Sequence, residues 1–292
     1  MSSLRLSSAK APVRNAFGIG RKAVADFSRH DMSTYAAALA YRLLFSLFPF
    51  LVFLVTLLGF LGVPEMFDWL REQAGYMLPD QAMELVNTVV TEVETPRGGL
   101  MSVAVALAIW SASAGVLGTM NALNVVFEVR ERRAAWKRIL VSLLYTLALA
   151  LMLVIAAGMM ITGPELLAWA ARYVRLDAYF ILLWGWIRWP LIVFLLILVV
   201  SMVYYAGPNL KQPFRLVTAG AVSAVAAWVA ASFAFALYVQ TFASYNKTYG
   251  SMGAVIVLLL YFFLSAAVLL FGAEINAVLA RSRGEPIRED TG

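Results

Sequence analysis

Six stretches of this chain are apolar almost without interruption, near residues 36–62, 100–126, 139–162, 189–206, 216–240 and 252–280. A bilayer core needs roughly 20 helical residues to cross it, and open backbone cannot satisfy its hydrogen bonds there. The pattern therefore predicts six transmembrane helices. The first, second and last runs exceed the required length, which allows tilt or a protruding end. The fourth has two readings. "DAYFILLWGWIRWP" (177–190) carries three of the eight tryptophans, with Arg188 inside it. It is either the outer part of one long tilted span or an aromatic interfacial segment leading into that span.

Two other segments repeat apolar residues at helical spacing. In 63–98, Pro64 suits the first turn of a helix, and Met66, Leu70 and Met77 follow it. After Pro79 and Asp80, a second set runs through Ala82, Leu85, Val86, Val89, Val90 and Val93. This predicts an amphipathic helical hairpin. Residues 13–27, with Val13, Phe17, Val24 and Phe27 among basic side chains, predict an interfacial N-terminal helix. "SYNKTYGSMGAV" (244–255) reads as a tight turn with Tyr245 and Tyr249 at headgroup level. The fold class is then an all-α polytopic membrane protein. Residues 1–34 form a cytoplasmic N-terminal segment, 35–281 a six-helix membrane domain with its hairpin at 63–98, and 282–292 a cytoplasmic tail.

Composition agrees. The chain is 62% hydrophobic and 14% charged, with mean hydropathy +0.80; soluble domains have about 25% charged residues. The N-terminal end shows no compact apolar stretch followed by a cleavage signature, so the first span is expected to act as an uncleaved signal. The net charge of +6 is distributed as an orientation signal rather than a nucleic-acid surface. Arg5, Lys10, Arg14, Arg21, Lys22 and Arg29 precede the first span. Arg130, Arg132, Arg133, Lys137 and Arg138 follow the second, Lys211 and Arg215 follow the fourth, and Arg281, Arg283 and Arg288 follow the last. The opposite segments hold Arg71, Arg97, Arg172, Arg175 and Lys247, with Arg188 besides. The positive-inside rule puts both termini in the cytoplasm. On the other side, 63–98 has seven acids against two bases, a net −5. That acidic hairpin is either a lid on the bundle or headgroups, or a docking face for an envelope partner.

Arg42 and Pro49 lie inside the first span, and each is costly there. A buried guanidinium costs roughly 2.5–3.5 kcal/mol on insertion scales, and proline removes a backbone hydrogen bond. Tyr35, Arg42, Ser46, Pro49 and Thr56 are spaced 7, 4, 3 and 7, so they share one stripe, which must face protein or a watery cavity. Glu274 is the one carboxylate deep in any run, seven residues before Arg281; Arg42 lies seven residues past Tyr35. Both depths are about 10 Å at 1.5 Å per residue, so an Arg42–Glu274 pair is expected, structural or part of a site for an anionic headgroup or coupling ion. Asn121, Asn124 and Glu128 share one face of the second span; they either bond a neighbouring helix or line a cavity with Arg42. Asn276, two residues from Glu274, points away from it. The candidate binding residues are Arg42, Ser46, Asn121, Asn124, Glu128 and Glu274. There is no cysteine and one histidine, His30. No Cys-ligated metal or His cluster is available, and no cofactor, metal site or catalytic residue is expected.

"AAALAYRLLFSLFPFLVFLVTLLGFLG", "IWSASAGVLGTMNALNVVFE" and "SYNKTYGSMGAVIVLLLYFFLSAAVLLFGAEINAVL" together resemble the YihY/BrkB family of bacterial inner-membrane proteins, over roughly residues 30 to 281. At 42, where that family usually has an aromatic residue, this chain has arginine; Glu274 and Asn276 match its closing G-A-E-x-N pattern. The resemblance implies six spans with cytoplasmic ends. Names used for the family include a virulence or serum-resistance factor and, historically, a ribonuclease. Metal-dependent RNA hydrolysis needs clustered ligands to activate water, which one histidine does not supply, so a non-enzyme is expected. The readings that stand are transport or handling of a lipid or other anionic amphiphile through a polar intramembrane cavity, and a scaffold docking through 63–98. Membrane lipids are the expected partners, nucleic acid is not, and homo-oligomers stay open.

Overall fold

The computed structural model describes residues 16–61, 98–148, 151–152, 178–210, 212–213, 215–241 and 246–284. All extended regular elements among them are helices. They are α1 (Ala16–Arg29), α2 (Met32–Leu61), α3 (Gly98–Val126), α4 (through 135–148), α5 (Ala178–Ala206), α6 (Ala219–Thr241) and α7 (Asn246–Ser282). Four of these are long and apolar enough to cross a membrane, over Val105–Val126, Trp189–Ala206, Ala219–Val239 and Val255–Ser282. The hairpin predicted at 63–98, apart from Gly98, which opens α3, and residues 149–150 and 153–162 of the run at 139–162 lie outside the described residues.

Local chemistry explains several helix ends. Asp31, at φ 53°, breaks α1 from α2: its N–H donates to the Ser28 carbonyl and its own carbonyl accepts from Thr34. Aspartate tolerates this left-handed conformation better than most residues. α2 then runs through Pro49, tolerated because membrane helices can re-satisfy one freed carbonyl locally. α3 closes in a Schellman turn. Val129 N–H reaches back to the Asn124 carbonyl at 2.9 Å and Glu128 N–H to that of Val125 at 3.0 Å. The left-handed position in that turn usually belongs to glycine; here it is Glu128, at φ 57°. Thr218 caps α6, its Oγ1 accepting from Ala221 N–H at 3.2 Å.

The helices pack along a few seams. α2 lies between α3 and α7, α6 packs on α5 and α7, and α1 lies on α7. The core holds Met32, Ala36 and Leu39 of α2, Leu123 and Val126 of α3, and Leu270, Ala273 and Ala277 of α7. α6 and α7 cross with their backbones nearly touching: a Cβ at Gly220 would run into the Gly272 carbonyl, and one at Gly272 into that of Gly220. Small residues permit such crossings in membrane bundles. Trp110, Phe233 and Leu237 point outward from the spans, as lipid-facing positions should. α1 buries Ala23 and Asp26 against the bundle, sets Phe27 edge-on to Phe271, and leaves Phe17 85% and Val24 59% exposed, the amphipathic division expected of it.

One alternative is resolved and one expectation changes. The 177–190 segment is helical from Ala178 and continuous with the apolar run after it, so α5 is one helix of 29 residues. The turn read at 244–255 does not form over Asn246, Tyr249 and Gly250, which lie inside α7. The long apolar run that follows, which puts Ala266, Leu270, Ala273 and Ala277 in the core, favours one continuous helix over the weak helix propensity of Asn and Gly.

Candidate functional site

The polar ends of the helices meet at one end of the bundle. The loop after α3 bonds the loop after α5, with Asn209 N–H donating to Asn124 Oδ1 at 2.7 Å and Asn209 Nδ2 donating to the Arg130 carbonyl at 3.1 Å. Asn124 Nδ2 donates to Glu131 Oε2 at 3.0 Å. Arg133 grips Glu131 through Nε and NH2, both at 2.8 Å, and reaches the Gly207 carbonyl at 3.1 Å. Although partial burial pushes the Glu131 carboxyl upward, these bonds from Arg133 and Asn124 hold it below the ordinary value of 4.5. Asn124 thus braces two loops.

Beside this brace lies a charged cluster drawn from α1, the end of α3 and α7. His30 Nδ1 is 2.7 Å from Glu274 Oε1, and Nε2 is 3.3 Å from Glu128 Oε1. Arg29 NH2 donates to Glu128 Oε1 at 2.6 Å and Arg281 NH1 to the same oxygen at 2.7 Å. Arg281 NH2 also stands 3.4 Å from Asp26 Oδ2 and 3.9 Å from Glu274 Oε2. Glu274 is fully buried, and its Oε2 has no hydrogen-bond partner. Partial desolvation of Glu128 works against ionisation; Arg281, the bond to His30 and Arg29 overcome it and hold that carboxyl below 4.5. The left-handed backbone of Glu128 turns its side chain back over the helix end, at a strain of about 1–2 kcal/mol.

The predicted site is therefore divided. Glu128 and Glu274 come together as partners of one histidine. Arg42 does not pair with Glu274: its NH1 donates to the Ala114 carbonyl at 3.0 Å and lies in the space left by Gly118 in the α2–α3 seam. Equal depth did not bring the two together because they face different neighbours, Arg42 turning to α3 and Glu274 to the end of α1. Ser46 bonds back to its own helix, at the Leu43 carbonyl, 2.8 Å. Asn121 sits half-buried on α3, outside the His30 cluster. Asn276 turns away from Glu274, as expected, and caps α6: its Oδ1 accepts from Gly220 N–H at 2.8 Å and its Nδ2 donates to Thr218 Oγ1 at 3.0 Å. A single histidine, His30, offers no cluster to read in the sequence. Its place at the junction of a basic amphipathic helix and the first span was the available signal.

A hollow of about 190 Å³ opens at the same end, between α5, α6 and α7. Arg215, Arg283, Gln212, Thr218 and Asn276 give it polar walls; Phe127, Tyr204, Val217 and Leu279 give apolar ones. Ser201, 1% exposed, also lines it, and its Oγ has no hydrogen-bond partner. Leu216, Val217 and Tyr205 are exposed at this edge. None of the six predicted residues lines this hollow.

A helical bundle with several membrane-length apolar helices and a polar, charged end defines the class: an integral, multi-pass membrane protein. Comparison with known proteins gives the family. The description "Virulence factor BrkB" matches residues 23–291, and the chain belongs to that family. It is 36% identical over 261 residues to the ribonuclease-like protein YfkH of Bacillus subtilis (strain 168), covering 89% of this chain and 94% of that one. It is 28% identical to a UPF0761 membrane protein of Chromohalobacter salexigens and 27% to one of Pseudomonas aeruginosa (strain LESB58). Those matches cover 90% and 85% of this chain but only 63% and 59% of the relatives, so the chain spans about three fifths of the UPF0761 proteins' length. No solved structure matches it.

Proposed function

We propose that this chain is a six-span protein of the bacterial inner membrane, both ends cytoplasmic, that handles a lipid or other anionic amphiphile without catalysing a reaction on it. The observation that carries the reading is the hollow between α5, α6 and α7. Two guanidinium-bearing residues, Arg215 and Arg283, and the capped N-terminus of α6 make it a favourable place for negative charge. Its volume of about 190 Å³ is below the roughly 300–1,000 Å³ that encloses a drug-sized molecule. It suits a headgroup whose chains stay outside, along Leu216, Val217 and Tyr205. The orientation rests on the basic residues of α1 and of the loops after α3 and α5, which the contacts above gather at the same end as the hollow.

Native mass spectrometry of the detergent-extracted chain tests this. The expected result is retention of anionic phospholipid over zwitterionic, lost in the Arg215→Ala/Arg283→Ala variant. Equal retention of both lipids by the unaltered chain would overturn the reading.

A further inference from the structure

The His30 cluster is arranged for more than packing. A guanidinium has only donors, so Arg29 NH2, 3.0 Å from His30 Nε2, donates to that nitrogen when the ring is neutral. The neutral ring then carries its hydrogen on Nδ1 and donates it to Glu274 Oε1 at 2.7 Å. If the ring takes a second proton, Nε2 becomes a donor, and Glu128 Oε1 is already 3.3 Å away to accept. Arg29 keeps its own bond to Glu128 in either state. With the ring doubly protonated, Nε2–H and Arg29 NH2 are two donors 3.0 Å apart, so the Arg29 tip turns away from the ring while keeping its bond to Glu128.

A second observation concerns the far end. Glu274 is fully buried within a span, and its Oε2 has no hydrogen-bond partner, with Arg281 NH2 at 3.9 Å. Exposure falls in order along the three side chains, from 52% at Glu128 to 9% at His30 and 0% at Glu274. Ionisable groups inside spans are rare and often belong to ion or proton pathways. We propose that Glu128, His30 and Glu274 form a proton relay between water at the loop end and a proton-binding carboxyl, Glu274, inside the last span. This stands on different residues from the amphiphile hollow, and either can fail alone.

The step balances. A proton from water lands on the Glu128 carboxylate and passes to His30 Nε2, making the ring an imidazolium. The ring releases its Nδ1 proton to Glu274 Oε1. Glu274 ends neutral, Glu128 ionised again, and the ring neutral with hydrogen on Nε2; reverse passage or ring rotation restores the first tautomer. The other charged groups at the cluster are Asp26 and Arg29 from α1 and Arg281 from α7. The two arginines favour ionised carboxylates, and Asp26 opposes them.

Because His30 is the chain's only histidine, ring-¹⁵N labelling of the full chain in nanodiscs reports it without ambiguity. Lowering the pH of the sample should bring the ring's two-hydrogen state into view beside its one-hydrogen state. A carboxylic C=O infrared band, absent from Glu274→Gln, should rise after the pH is lowered. In His30→Asn, which keeps a polar side chain, that band should rise about 100-fold more slowly, the low end of what a positioned proton-transfer group contributes. A band that rises as fast in His30→Asn, or none in the unaltered chain, overturns the relay. Should His30→Asn fail to fold, the unaltered chain decides: a histidine ring that keeps one protonation state throughout sinks the proposal.

Discussion

Two charged side chains within the apolar helices are accommodated by opposite means. Arg42 sits in the seam of α2 and α3, where one backbone carbonyl and the gap at Gly118 accommodate it. Glu274 sits at the end of α7, and its neutralising groups are side chains from α1 and from its own helix, tied in turn to Glu128. A long flexible cation in a seam needs only room and one acceptor. A buried short carboxylate has no reach to water, so its partners must be brought to it, and losing one strands the charge.

Removing a partner from the network should break it most severely. His30→Ala leaves Glu274 short of its one close donor and is expected to lower stability by about 3–5 kcal/mol, read from denaturant unfolding in detergent; an effect below about 1 kcal/mol would mean the carboxyl is already sheltered by other groups. Gly220→Ala should follow. Its new methyl meets the Gly272 carbonyl, which is backbone and cannot step aside, as well as the Asn276 amide that caps α6, and such overpacking costs about 1–3 kcal/mol. Gly118→Ala should cost less, because the atoms in its way belong mainly to Arg42 and Leu39 side chains that can shift. Arg42→Met trades one hydrogen bond and a charge for apolar packing of similar length, and stability should move by about 1 kcal/mol or less. If Arg42→Met proves as damaging as His30→Ala, the two arrangements are not different in kind.

Acid gives the mildest test. Glu128 and Glu131 are held below 4.5 in the folded chain. A carboxylate whose folded value is depressed contributes stability above its unfolded value, and loses that contribution as pH falls through the folded one. Thermal midpoints in detergent should therefore drop below about pH 4.5, and Glu128→Gln/Glu131→Gln should flatten that part of the profile. Half-exposed Glu128 is screened by solvent, so the drop is modest.

Much of the membrane architecture was legible because it depends on composition along the chain. The apolar runs became membrane-length helices at four places, the amphipathic pattern at 13–27 became α1 from Ala16 onward, and Asn276 faced away from Glu274 on helical spacing alone. The family was legible for the same reason, since apolar runs and small motifs in fixed order survive as text. The pairing of charges within the helices was not. Depth along a helix follows from residue count, but the direction a side chain faces also depends on which helix lies beside it. Arg42 and Glu274 matched in depth and failed in azimuth. The Asn-Gly stretch after 245 misled as well, because its turn chemistry was weaker than continuous helix packing.

Local periodicity, solvation and charge bias are properties of short segments, so the chain alone determined that it enters a membrane and how its basic ends are distributed. Tertiary structure decided that His30, Glu128 and Glu274, separated by 98 and 244 residues from that histidine, share one cluster, and that the polar hollow opens at the loop end. Those facts depend on helix rotation and on one left-handed residue at the end of α3. Both are settled only when the seams close.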